Sequence, residues 1–217
     1  MMQQRCRNEK DRAYAPDGSH LQVDAQYWQA AAARDRLALC NITFFEQVTD
    51  NCLRFPFLGS PVQVDFKARC LMRQSNGVWQ PTDDPLLEMV TVLYLSSVRE
   101  IFPMGRDIVG VRDLKEGHFF AGPHELRIKP LLQRFGENLT DFKTCAKRLG
   151  GTPMEMADTA FQLLPFPRLP LYYLLWQGDA EFRPRIQVLF DRPIETIMAA
   201  DAIWALVNRV SQALVEA

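Results

Sequence analysis

The sequence lacks any stretch that could span a membrane or direct export. Its longest apolar runs are about ten residues, whereas a membrane-spanning helix needs about 20. The first 20 residues are polar and contain no apolar run of the signal-peptide type. We therefore expect a cytoplasmic protein that does not associate with a membrane.

Cysteine is scarce and scattered, with five residues and no pair in a C-x-x-C arrangement. An odd number without close pairs disfavours a disulfide framework and fits a reducing compartment. It also leaves an iron–sulfur or structural zinc site without sequence support.

Neither sign of charge is in excess, because the sequence contains 25 basic and 26 acidic residues. Nucleic-acid binding usually shows as a basic excess, so we expect no nucleic-acid partner.

Standard catalytic motifs are missing as well. The sequence contains no G-x-S-x-G elbow, no phosphate-binding G-x-x-x-x-G-K-[ST] loop and no G-x-G-x-x-G after a strand. The sequence therefore leaves open whether the protein is an enzyme, and it indicates no cofactor.

The chain does contain enough apolar residues for a sizeable core. Hydrophobic residues make up 47% of its 217 residues, the balance of an ordinary globular protein. This length suits one domain better than two. We expect a polar arm at residues 1–22 and a single domain at residues 23–217.

Alternating apolar residues predict two β-hairpins. Leu53, Phe55 and Phe57 alternate with polar or turn residues, and the alternation resumes at Val62 and Val64 after a break. In the last third of the chain, two strands are predicted at residues 169–176 and 185–190, joined by a connection. Short further strands are predicted at residues 71–73 and 107–111.

Helical spacing of apolar residues, with capping residues and prolines at the ends, predicts the helices. They are expected from residue 24 to residues 39–41, and at residues 85–98, 130–135, 141–149 and 200–215. The order of these elements predicts an α+β fold, with an antiparallel sheet built from two hairpins and packed against several helices.

The connection after the first C-terminal strand concentrates polar and aromatic side chains. Asp179 and Glu181 lie between Trp176 and Phe182, and Asp191 follows the second strand. Three carboxylates gathered at one end of the sheet could bind a hard cation or act as acid and base. The alternative is structural, because Gly178-Asp179 suits a tight turn and Glu181 can pair with a nearby arginine. The predicted ligand-binding residues are Tyr173, Trp176, Asp179, Glu181, Phe182 and Asp191.

Two histidines form a second, weaker candidate site. His118 and His124 flank a short apolar segment, and Glu125 follows. Imidazole and carboxylate groups are zinc or iron ligands in kind, but this spacing matches no ligand motif. We therefore expect both histidines to be solvated or hydrogen-bonded loop residues, and we assign no metal ligand.

Several short motifs follow one another in a recognisable order: Leu58-Gly59-Ser60-Pro61, Val64-Asp65-Phe66, Leu93-Tyr94-Leu95, residues 109–114, Leu149-Gly150-Gly151, the block from Trp176 to Phe182, and Leu189-Phe190-Asp191. Their order resembles a known family, the domain of unknown function DUF3786. The resemblance covers residues from about 25 to the end and is most specific in the C-terminal block. It implies an anaerobic bacterium or archaeon and a setting in redox or cofactor metabolism, with links to corrinoid or one-carbon proteins. Some relatives carry an iron–sulfur module, which this sequence does not match.

Three functional hypotheses follow. The first is a non-catalytic ligand-binding or accessory protein, holding a small molecule or protein partner against the aromatic-lined sheet. The second is a metal-assisted enzyme built on Asp179, Glu181 and Asp191. The third is a structural protein-interaction domain. The oligomeric state is left open.

Overall fold

The computed structural model describes residues 22–178 and 181–217. The predicted α+β class is confirmed, with two antiparallel five-stranded sheets and seven α-helices in the described ranges. The two predicted hairpins lie in different sheets rather than in one. The polar arm at residues 1–22 lies almost wholly outside the described residues.

The first sheet is a meander of neighbouring strands in the order β1-β2-β3-β4-β5. Its predicted hairpin is confirmed, because β2 pairs with β3 across a two-residue turn. Leu58 and Gly59 in that turn have φ of 49° and 77°, the left-handed conformation that suits the twist of a hairpin. The strands are β1 (Glu46–Thr49), β2 (Cys52–Phe57), β3 (Ser60–Asp65), β4 (Cys70–Ser75) and β5 (Val78–Pro81).

The second sheet has the order β6-β10-β9-β8-β7. The predicted pairing of β9 with β10 is confirmed, with Trp176 opposite Arg185. A long strand that the sequence did not predict, β8, pairs with the other edge of β9. The strand β9 is therefore central, which explains why almost all of its residues are buried on both faces. The strands are β6 (Ile108–Gly110), β7 (Thr152–Met154), β8 (Thr159–Phe166), β9 (Leu169–Trp176) and β10 (Arg185–Asp191).

Four predicted helices are confirmed as α3, α4, α5 and α7, within one or two residues at each end. The fifth prediction, one helix from residue 24 to residues 39–41, is wrong, because the segment forms two helices. Asp24 caps the first helix, and Asp35 caps the second by accepting a hydrogen bond from the Ala38 N–H at 2.7 Å. The helices are α1 (Ala25–Ala32), α2 (Arg36–Thr43), α3 (Pro85–Ser97), α4 (Lys129–Phe135), α5 (Leu139–Arg148), α6 (Ile194–Ile197) and α7 (Ala200–Glu216).

One hydrophobic cluster joins the two sheets and the helices. At its centre, the Phe166 ring of β8 stacks on Tyr94 of α3, with centroids 4.6 Å apart. The same ring lies 5.5 Å from the Phe55 ring of β2. The helix α3 also packs against α7, so the N-terminus of α3 and the C-terminal half of α7 lie side by side.

Candidate functional site

The predicted loop lies at one end of the hairpin formed by β9 and β10. Trp176 ends β9, and the Arg185 guanidinium lies 4.0 Å from the centre of its ring. Glu181 is exposed, and the Phe182 side chain is 70% exposed. A Cβ at Gly178 would lie 2.5 Å from Cδ of Pro184, so the close approach of the two chain segments requires glycine. Asp179 lies outside the described residues.

Asp191 does not lie near this loop. In the antiparallel register Trp176 is opposite Arg185, and Leu171 is opposite Phe190. Asp191 therefore ends the strand that Arg185 begins, about 20 Å away at 3.3 Å per residue. The prediction that Asp191 joins Glu181 in a carboxylate cluster is wrong. No group of three histidine, cysteine or acidic side chains in the described ranges is arranged to hold a metal ion.

Tyr173 lies on the face of β9 that packs against the core, because successive strand residues point to opposite faces. Its side chain is fully buried. Its hydroxyl lies 3.0 Å from Oγ of Ser211 and donates to the Val207 carbonyl at 3.2 Å. Burial raises the pKa of this hydroxyl. Tyr173 anchors the sheet to α7, and the expectation that it shares a binding surface with Trp176 does not hold.

Asp191 is a buried hydrogen-bonded group and is only 7% exposed. The Gly105 N–H lies 3.0 Å from both of its carboxylate oxygens, and the Tyr172 hydroxyl donates at 3.1 Å. Burial raises the pKa of Asp191, and Asp107 raises it further, while these two hydrogen bonds oppose the increase. Burial and the nearby Asp191 carboxyl raise the pKa of Tyr172 to about 12. The arrangement ties the loop at Gly105 to the end of β10.

The raised pKa of Asp191 predicts a pH dependence of stability. Between the ordinary aspartate pKa of about 4 and the raised value, the folded state binds more protons than the unfolded state, so stability falls as pH rises. We expect Asp191→Asn to remove this contribution. The free energy of unfolding of the variant should therefore rise relative to that of the wild type from pH 4 to pH 7. Urea denaturation at several pH values measures it, and a difference that is constant over this range would contradict the prediction.

One of the two histidines, His124, belongs to an aromatic surface cluster. Both are exposed, and the His124 ring stacks on Phe119 with centroids 4.3 Å apart. Trp204 of α7 meets the His124 ring edge-on at 6.3 Å. The structure thus gives His124 a packing role.

The structure reveals a polar cleft that the sequence analysis missed. It lies between the end of β4, the N-terminus of α3 and the C-terminal half of α7, and its volume is about 420 Å³. We call it the polar cleft. Its lining includes Arg73, Thr82, Asp84, Arg209, Gln212 and Glu216.

Asp84 organises the polar cleft. One of its carboxylate oxygens accepts from the Leu87 N–H at 3.0 Å and so caps α3. The other accepts from Nε of Arg209 at 2.7 Å and from Nη2 of Arg73 at 3.4 Å. Two guanidinium groups therefore share one carboxylate. Burial lowers the pKa of Arg73, with Arg209 acting in the same direction and with Asp84 and Glu216 opposing it, so these four charges are coupled.

Arg209 is the least exposed charged side chain of the polar cleft. Its side chain is 8% exposed, and its Nη1 atom makes no hydrogen bond. The Glu216 carboxylate forms an ion pair with Nη1 at 3.7 Å, which exceeds hydrogen-bonding distance. The side chain of Glu216 is 55% exposed and accepts from Gln212 at 2.7 Å. A buried cationic donor therefore lies at the cleft without a hydrogen-bond acceptor.

A smaller cleft of about 190 Å³ adjoins the polar cleft and shares Leu86 and Gln212 with it. Asn208 lines this second cleft. Its side-chain oxygen accepts from the Arg127 N–H at 3.0 Å, which orients the amide, and its Nδ2 atom is buried without a partner. One sequence signal could have indicated this region. Asn208 and Arg209 lie among the apolar residues of α7 and are buried, although side chains of these two types are mostly exposed in folded proteins.

The fold and the cleft define an α+β protein with two antiparallel sheets, in which a polar cleft lies between the first sheet, the N-terminus of α3 and the long C-terminal helix. The family model of the domain of unknown function DUF3786 matches residues 38–213, so the chain belongs to this family. The matched span includes Arg73, Asp84 and Arg209. No curated protein and no solved structure matches the chain.

Proposed function

We propose that this chain is a non-catalytic ligand-binding or accessory protein that holds a small molecule in the polar cleft. The observation that carries the proposal is the buried Arg209 guanidinium, whose Nη1 atom lacks a hydrogen-bond acceptor at a cleft of about 420 Å³. A buried donor without a partner loses the free energy of a hydrogen bond to water. A ligand that supplies an acceptor would restore it.

The size and lining of the polar cleft support binding of a small molecule. Small-molecule sites usually occupy about 300–1,000 Å³, and a few placed polar groups determine their specificity. Arg73 and Arg209 supply such groups, and Leu86 and Pro85 add apolar surface. Strand β4, helix α3 and helix α7 hold these side chains on regular elements rather than on loops.

The chemistry of the polar cleft favours binding over catalysis. Asp84 already accepts from one backbone N–H and from two guanidinium groups. It therefore has little remaining capacity to act as a general base. None of the residues that line this cleft is a histidine or a cysteine.

The setting implied by the family resemblance remains a prediction. That predicted setting is the cytoplasm of an anaerobe, in redox or cofactor metabolism with a link to corrinoids. The metal-assisted alternative loses its basis, because Glu181 and Asp191 lie at opposite ends of the hairpin.

No helix in the described ranges is long and apolar enough to cross a membrane. The hypothesis of an interaction domain also remains a prediction, since no surface of the described residues indicates a particular partner.

Cleft occupancy can be tested with a mixed panel of neutral, cationic and anionic metabolites in ligand-observed NMR. We expect some compounds to bind the wild type and to lose binding in Thr82→Trp, in which an indole fills the polar cleft. Val78→Trp is the matched control, because it places the same side chain on exposed strand β5 away from the cleft. Equal binding to both variants, or binding of no compound of any charge, would overturn the proposal.

A further inference from the structure

Three buried donors around the two clefts lack partners. The described part of the chain has five buried side-chain nitrogen or oxygen atoms without a hydrogen bond, and three of them lie here. These three are Nε of Arg73, Nδ2 of Asn208 and Nη1 of Arg209. All three are nitrogens that can only donate. A molecule that satisfies them must therefore bring acceptors.

The charge balance at the polar cleft indicates which acceptors suit it. Arg73 and Arg209 share the single carboxylate of Asp84, so this group of three carries one positive charge in excess. Glu216 offsets that excess from 3.7 Å, but its own side chain is half exposed. Asp83 adds a negative charge on the exposed rim, where solvent screens it. All five charged residues of the lining together sum to one negative charge, but the positive excess belongs to the group that contains the least exposed side chains, Arg209 at 8% and Asp84 at 13%.

We infer that the polar cleft recognises an anionic group, a carboxylate or a phosphate, and that Glu216 is an internal competitor for the same position. This inference rests on the proposed function. A guanidinium group matches both oxyanions through paired N–H donors. The Glu216 carboxylate pairs with Nη1 at more than hydrogen-bonding distance, so a ligand oxyanion that approaches more closely replaces it. Displaced Glu216 keeps access to water, because it is already half exposed.

The second cleft indicates how the rest of the ligand is placed. It meets the polar cleft at Leu86 and Gln212, so a molecule bound at Arg209 can extend towards Asn208. Nδ2 of Asn208 is buried there without a hydrogen-bond partner, so the bound molecule should place an acceptor oxygen next to it. The ligand class is therefore a small organic anion that carries a carbonyl or hydroxyl oxygen on its body.

The test follows the guanidinium N–H signals of Arg209 by NMR while inorganic phosphate or succinate is added to the full chain. Succinamide is the neutral probe that matches succinate in shape. We expect saturable shifts at Arg209 with at least one anion and none with succinamide. In Glu216→Gln, which keeps the acceptor for Gln212 and loses the charge, we expect about fivefold tighter anion binding, in line with the loss of a partly exposed ion pair. Glu155→Gln controls for the change in net charge, because Glu155 is exposed directly after strand β7 and lines neither cleft.

The possible results separate three claims: the competitor role of Glu216, the anion site, and small-molecule binding in the polar cleft. Anion affinity that is equal in Glu216→Gln and in the wild type would overturn the competitor role. Shifts confined to exposed lysines and arginines would overturn the anion site. If only neutral or cationic compounds of the panel bind in the polar cleft, small-molecule binding stands and the anion class is overturned.

Discussion

Replacing Asp84 by alanine is expected to reduce the free energy of unfolding by about 3–5 kcal/mol, the usual cost of removing one partner from a buried ion pair. The Arg209 side chain is 8% exposed, and its Nε atom donates to Asp84 at 2.7 Å. Without this carboxylate, a buried guanidinium keeps only the distant and half-exposed Glu216 as a counter-charge. The N-terminus of α3 also loses its cap, which costs about 1 kcal/mol. Urea denaturation at neutral pH measures the sum.

Two further variants separate the cap from the ion pair. Asp35→Ala removes the cap of α2, where the carboxylate accepts from the Ala38 N–H in an exposed position, and it should cost only about 1 kcal/mol. Asp84→Asn keeps an oxygen for the Leu87 N–H and removes the charge, so its loss of stability should fall between those of the two alanine variants. If Asp84→Ala costs no more than Asp35→Ala, the shared carboxylate does not stabilise the fold through Arg209.

The elements that the sequence predicted correctly are those with a clear period or a capping signal. The alternation on either side of Leu58 and Gly59 predicted the hairpin of β2 and β3, and the proline at the start of the helix expected at residues 85–98 indicated where α3 begins. Strand β8 was missed for a physical reason. One of its faces is buried throughout and the other only in part, and its exposed position Leu164 is apolar, so apolar and polar residues do not alternate. Pro165 also lies at a shift in the register of β8 with β9. Only the neighbouring strands reveal that this segment belongs in a sheet.

The candidate site could not be predicted in the same way. The sequence places Glu181 and Asp191 near each other along the chain, but the antiparallel register sends Asp191 to the far end of β10. The opposite happens at the polar cleft. Asp84 and Arg209 are 125 residues apart, and their hydrogen bond depends on the packing of α3 against α7. A local pattern contains no information about such a contact, so the sequence analysis had no means of pairing them.

A second large effect is expected at the junction of the two sheets. Phe166→Ala should reduce the free energy of unfolding by about 3–5 kcal/mol, the range found for removing a buried aromatic side chain. Phe166 is fully buried, and its ring stacks on Tyr94 at 4.6 Å and lies 6.0 Å from the Phe57 ring. Alanine would leave a cavity between β2, β8 and α3, and those elements could fill it only by moving together. Denaturation followed by tryptophan fluorescence and by circular dichroism measures the loss.

The controls for this prediction change one feature at a time. Tyr94→Phe retains the stacked ring and removes a buried hydroxyl that makes no hydrogen bond, so its stability should equal or exceed that of the wild type. Phe166→Leu retains most of the volume and should lose clearly less than the alanine variant. Because Phe166 contacts residues of both sheets, the two probes should report one shared transition that shifts as a whole. Two separate transitions, of which only one responds to Phe166→Ala, would mean that the sheets are stabilised independently and that the ring cluster does not couple them.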